Sequence, residues 1–213
     1  MKKNGIYNEL ESNRLIISGA LSNPQIIKAL TPLGFDRKEI MNGNSLLARM
    51  SGQQEQREQE ENLQKSSTQK LRDAFKEANA LYVTHLKFAR MTISPNSQAW
   101  HDMKLEGKRR RDMAGWFMQV KAFYKYAGAV SEQLAQRGIT AEEMAQVQAM
   151  IEAVADARVE QNKYRSSKQV AKVRRDEERK ALQLWMSKFI KAARFAFDED
   201  KQQLEALGIV VPS

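Results

Sequence analysis

From Met113 to Leu134 the apolar residues Met113, Trp116, Val120, Phe123, Ala127, Val130 and Leu134 follow one another at alternating steps of three and four. That spacing collects them on one face of a helix packed lengthwise on others. The same rhythm runs through Leu71, Phe75, Ala78, Leu81, Tyr82, His85 and Phe88, then Met144, Val147, Ile151 and Val154, then Leu182, Trp185, Phe189, Ala192 and Ala196. A chain patterned this way must bury helical stripes against one another, which predicts an all-α fold. Turn-forming residues agree: 213 residues carry only 10 glycines and 4 prolines, too few for the many turns of a β fold. Straight-chain helix formers fill the rest, and the length suffices for a substantial core.

Punctuation sets the expected boundaries. Asn23-Pro24 reads as a cap followed by proline at the first helical position, with short helices over the first forty residues. Gly34 closes one helix and Asp36 caps the next, which starts near Arg37 and runs into the polar stretch Gln53 to Gln64. Ser66-Ser67-Thr68 reads as a turn with a fresh cap, and Ser94-Pro95 as a stop. Further on, Met113 to Leu134 reads as one helix, closed at Gly138. Thr140-x-x-Glu143 is a capping box for the next helix, Ser166-Ser167 a break, and Leu207-Gly208-Ile209 the end of a last short helix.

A constant shift of 104 positions lays the halves over each other. Gly34 falls on Gly138, Glu39 on Glu143, and Lys87-x-Ala89-Arg90 on Lys191-x-Ala193-Arg194. Identities from Gly34 to Ser94 number only 6 in 61, so the weight rests on the shared caps, the Lys-x-Ala-Arg motif and the ungapped register. The resulting expectation is an elongated helical bundle of two similar helical-hairpin repeats, residues 1–106 and 107–213. The order Asn23-Pro24-x-Ile26, Leu33-Gly34-Phe35-Asp36, Gly43-x-x-Leu46 and the closing Leu207-Gly208-Ile209 resembles a loosely defined set of uncharacterised bacterial helical proteins. That resemblance implies a long-helix bundle and no activity.

With no cysteine, disulfides, thiolate metal sites and cysteine nucleophiles are excluded, a composition that fits a reducing cytoplasm. No secretory signal opens the sequence, and its best early apolar run, Leu15-Ile16-Ile17, is far short of a membrane span. The net charge of +9 divides into +3 up to Met103 and +6 beyond it, which invites a nucleic-acid reading. The densest basic run is Lys108-Arg109-Arg110-Arg111, expected as a solvated linker before a helix whose start it opposes electrostatically. Lys87, Arg90, Lys191 and Arg194 are expected to bind carboxylates of neighbouring helices, or, in the sharper reading, to form a paired anion site. These eight cations are the candidate contacts for an anion or nucleic acid.

His85 breaks an apolar face without the Glu-x-x-His pattern of a di-iron site, so we expect a buried or boundary histidine with a structural hydrogen bond and no metal. Trp116 and Trp185 sit on core stripes, while Tyr124 and Tyr126 flank Lys125 as a small aromatic–basic patch. No catalytic residue, cofactor site or glycine-rich phosphate loop stands out. The leading expectation is a cytoplasmic, non-enzymatic helical interaction or scaffold protein that associates with itself or a protein partner. The alternative is a sequence-nonspecific nucleic-acid-binding or packaging-associated protein using the basic second half.

Overall fold

The computed structural model describes residues 3–209, whose regular structure is all helical, with no strand among them. In chain order the helices are α1 (Lys3–Ser22), α2 (Pro24–Leu30), α3 (Arg37–Thr92), α4 (Gln98–Asp102), α5 (Met113–Ala127), α6 (Ser131–Ala135), α7 (Ala141–Ala196) and α8 (Lys201–Ala206). Single 3-10 turns, Thr31–Leu33 and Gly128–Val130, follow α2 and precede α6. No helix among the described residues is long and apolar enough to cross a membrane.

Two helices of 56 residues each, α3 and α7, dominate, and they begin 104 positions apart. Each starts from the same local device. A glycine at positive φ, Gly34 at 86° or Gly138 at 83°, reverses the chain, a conformation that costs any residue with a Cβ. The following residue then donates its N–H back to a carbonyl five positions earlier, Phe35 to Leu30 and Ile139 to Leu134. A side-chain cap completes the start. Asp36 Oδ1 accepts the Glu39 N–H at 2.7 Å, and Thr140 Oγ1 accepts the Glu143 N–H at 3.2 Å.

The hairpin expected within each repeat is absent. Neither Ser66-Ser67-Thr68 nor Ser166-Ser167 interrupts its helix. At the first of these the hydroxyls turn back onto the helix itself, Ser67 Oγ and Thr68 Oγ1 both donating to the Gln64 carbonyl, at 3.0 and 2.8 Å. Hydroxyls satisfied that way need no turn. A second difference lies at Met113–Leu134, where regular α-helix stops at Ala127 and resumes at Ser131. Gly128 sits at that break, and glycine is a weak helix former.

The chain divides into two compact units whose limits differ from 1–106 and 107–213. The first joins the residues up to Asn62 with those from Ser166 onward; the second is Leu63–Arg165. Each therefore combines the beginning of one long helix with the end of the other. In the first unit Ile17, Ile26, Leu30, Ile40, Met50, Leu182, Phe189 and Leu207 close one core. Phe35 meets Trp185 and Phe189 edge-on there, at 5.8 and 5.4 Å. In the second unit Tyr82, Trp116, Val120, Phe123, Leu134, Val147 and Val154 close another. The expected core residues Trp116, Val120, Phe123, Ile151, Leu182, Trp185 and Phe189 are all buried, but in two cores rather than one shared core: the first four in the second unit, the last three in the first. At about 1.5–3 kcal/mol for each large side chain fully buried, these two cores supply most of the driving force.

Candidate functional site

The basic run lies in the second unit, on the non-helical segment between α4 and α5. Its backbone is held from several sides. Arg90 on α3 donates from Nε to the Leu105 carbonyl and from Nη2 to the Gly107 carbonyl, both at 2.7 Å. Gln119, buried on α5, accepts the Arg110 N–H at 2.7 Å and donates to the Lys108 carbonyl at 3.5 Å. Arg109 Nη1 donates to Asn79 Oδ1 at 3.0 Å, and Trp116 Nε1 donates to the same oxygen at 3.1 Å. Gly115 completes the seat. A Cβ there would lie 2.9 Å from the Arg110 stem and 2.8 Å from Asp112 Oδ2, so only glycine lets the segment lie against the start of α5.

So held, the segment lines a hollow of about 600 Å³ with Lys104, Lys108, Arg109, Arg110 and Arg111. Two carboxylates share that lining, and both are engaged. Glu106 faces His101 at 2.9 Å, and Asp112 caps α5 by accepting the Gly115 N–H at 2.8 Å. That cap also offsets the unfavourable placement of cations at a helix start. Lys104, Lys108, Arg110 and Arg111 are exposed and make no side-chain hydrogen bond or ion pair among the described residues. A second hollow of about 340 Å³ shares Lys104 and is lined also by Asp102, Lys121, Ala122, Lys125 and Tyr126. Lys125 Nζ sits 5.2 Å from the Tyr126 ring centre. Tyr126 is exposed, whereas Tyr124 is buried.

The eight candidate cations thus part company. Lys108, Arg110 and Arg111 come together around the hollow, while Arg109 is half-buried and committed to Asn79. Arg90 clamps the loop by carbonyls rather than by the carboxylates expected of it. Lys87, Lys191 and Arg194 are exposed on their helices, Lys87 in the second unit and the other two in the first. Sequence reasoning singled out Tyr126 beside Lys125 but missed Lys104 and Gln119 as part of this surface. The lysine's positive φ of 54° and the glutamine's place on an apolar stripe carry no sequence signal of a loop seat.

His85 is buried, with Nδ1 2.8 Å from Tyr124 Oη and Nε2 3.1 Å from Glu143 Oε1. Tyr82 lies beside Tyr124, and its hydroxyl has no partner among the described residues. Burial pushes the Tyr82 phenol from its ordinary 10.0 up to about 12. Burial, with Tyr82 and Glu143 adding to it, raises Tyr124 further. No group of three or more histidine or acidic side chains that could hold a metal ion occurs among the described residues.

A different kind of surface lies on the first unit's part of α7. Val170, Val173, Leu184 and Phe195 are 50%, 48%, 61% and 75% exposed. At about 100° per residue they fall within about 60° of one another around the helix. Single exposed apolar residues are ordinary; these four share one side of the helix with Glu177, Lys188 and Lys191 between them, an apolar–basic face.

Compared with known proteins, the chain matches no family model, no curated protein and no solved structure.

Proposed function

We propose that this chain is a non-enzymatic interaction protein that binds a second copy of itself or a protein partner through the exposed face of α7. The observation that carries the reading is the aligned row Val170, Val173, Leu184 and Phe195, left in solvent on a helix whose opposite face is buried. Phe195 and Leu184 are the anchors, because they are the largest and most exposed apolar side chains of the four and burying each contributes about 1.5–3 kcal/mol. The absence of cysteine suits action in a reducing cytoplasm. We further propose that the two halves are copies of one ancestral unit. The equal lengths of α3 and α7 and their matched caps support that reading. Concentration-dependent sedimentation of the parent and of a Leu184→Glu/Phe195→Glu variant tests the α7 face, with chemical cross-linking in a cell lysate for a protein partner. We expect association that is insensitive to salt in the parent and lost in the variant. A parent that is monomeric and gives no cross-link dependent on these residues would remove the reading.

A further inference from the structure

The two hollows of the second unit have no role in an interaction through α7, and their chemistry is of another kind. The first collects cations without partners. Lys104, Lys108, Arg110 and Arg111 line it unpaired, its two carboxylates are occupied by His101 and the α5 cap, and its backbone is fixed by Arg90, Gln119 and Asn79. Like charges held this close repel one another and gain from a polyanion that bridges them. The second hollow shares Lys104 with the first, and an exposed tyrosine ring, Tyr126, lines it with Lys125 Nζ beside the ring.

We propose that these adjoining hollows are a binding site for single-stranded nucleic acid. Backbone phosphates are held at Lys104, Lys108, Arg110 and Arg111, and a base packs on the face of Tyr126. Unpaired cations alone would suit any phosphate. The aromatic ring beside them selects a strand with unstacked bases, because a π-face stacks on any base without reading its sequence. Duplex ends or free phosphate would use the cations but not the ring. Arg109 is outside this set, since its guanidinium is already given to Asn79.

The test uses the full chain and fluorescence anisotropy with a labelled, unstructured single-stranded oligonucleotide across a salt series. Unlabelled duplex and tripolyphosphate serve as competitors. We expect the parent to bind and Lys108→Ser/Arg110→Ser/Arg111→Ser to weaken binding at least about tenfold. The same variant should flatten the logarithmic salt slope by about 2, at roughly −0.7 per phosphate on a single strand. Tyr126→Ser should weaken binding about fivefold or more with the slope unchanged. A charge-matched control, Arg72→Ser/Lys76→Ser/Lys172→Ser, removes exposed cations elsewhere and should leave affinity near that of the parent. No binding by the parent would overturn the proposal, as would equal loss in the control. Stronger competition by duplex or tripolyphosphate than by unlabelled single strand would overturn it in favour of a plain anion site. Failure of the α7 reading would leave this outcome untouched, because none of these substitutions lies on that row.

Discussion

The two compact units solve one packing problem with different side chains. In each, the glutamate three residues after the helix cap reaches across to the other long helix and meets a ring nitrogen there. In the first unit Trp185 Nε1 donates to Glu39 Oε1 at 2.7 Å; in the second, His85 Nε2 lies 3.1 Å from Glu143 Oε1. Trp185 is positionally equivalent to Leu81, and His85 to Phe189, so the polar ring has moved by one helical turn between the units. Room has moved with it. Gly43 lies under the Trp185 ring, where a Cβ would fall 2.3 Å from it, and its equivalent in the second unit is the buried Val147. A large ring over a glycine in one unit corresponds to leucine and valine at the equivalent positions of the other. The backbone frame of caps and long helices is therefore less particular about its filling than about its spacing.

The largest effect expected from breaking this comparison is Gly43→Val. Its side chain cannot share space with the tryptophan ring, and overpacking of this kind costs about 1–3 kcal/mol or more. Adding Trp185→Leu transplants the pair of the second unit into the first and should recover most of the loss. Urea denaturation of the single and double variants measures both. A double variant no more stable than Gly43→Val would show that the two positions are not equivalent places in the two units.

The reverse exchange, His85→Phe, puts the first unit's residue into the second. It removes the partner of the Tyr124 hydroxyl, and leaving a buried donor without an acceptor costs about 1–3 kcal/mol. Alkaline pH probes the same region without mutation. Tyr82 has its folded pKa raised from 10.0 to about 12, so the fold favours the neutral phenol. The stability this contributes is complete below pH 10, where both folded and unfolded chains hold the proton. It declines as pH rises from 10 toward 12, because the unfolded chain ionises first. The residue equivalent to Tyr82 in the first unit is Met186, which does not titrate, so hydrogen exchange should loosen in the second unit before the first. Simultaneous loosening of both would contradict it.

Third in size are the caps. Asp36→Ala and Thr140→Ala each remove a side-chain acceptor at the start of a long helix and should cost about 1 kcal/mol, within the usual 0.5–2. Equal losses, read from thermal midpoints, would mark the two starts as energetically alike. A loss at one position only would mean that packing of Phe35 or Ile139 already holds the other turn.

These starts were the most legible part of the sequence, because a glycine at positive φ and a capping oxygen are local requirements that few residues meet. The apolar stripes also gave the all-α class and most of the core, since burial periodicity survives without knowledge of the partner helix. The hydroxyl residues at 66–68 and 166–167 misled because a hydroxyl serves equally as a cap or as a donor to its own helix, and only the backbone decides. The pairing of one repeat's helix start with the other's helix end was illegible for a different reason. A stripe on α3 states that it is covered, not by which segment. At the basic loop, the cations were visible as a run, but their division depended on Asn79, Gln119 and Arg90, each distant in sequence and unremarkable in type.

That division makes the smallest predicted effect also the most discriminating. Lys108, Arg110 and Arg111 are exposed and their side chains make no hydrogen bond or ion pair among the described residues, so replacing all three with serine should change folding stability by only about 0–1 kcal/mol. Arg109 is adjacent in sequence and chemically identical to two of them, yet its guanidinium shares Asn79 Oδ1 with the indole of buried Trp116. Arg109→Ser strips one donor from an acceptor that keeps the other, so no buried group is orphaned, and the cost should be about 1 kcal/mol. Asn79→Ala leaves both donors without their acceptor and should cost more than Arg109→Ser. The ordering triple serine, then Arg109→Ser, then Asn79→Ala follows from geometry alone and is read directly from urea midpoints. A triple variant as damaging as Asn79→Ala would mean that the loop's exposed cations hold it in place, and the hollow they line would then be a consequence of the fold rather than a surface kept open beside it.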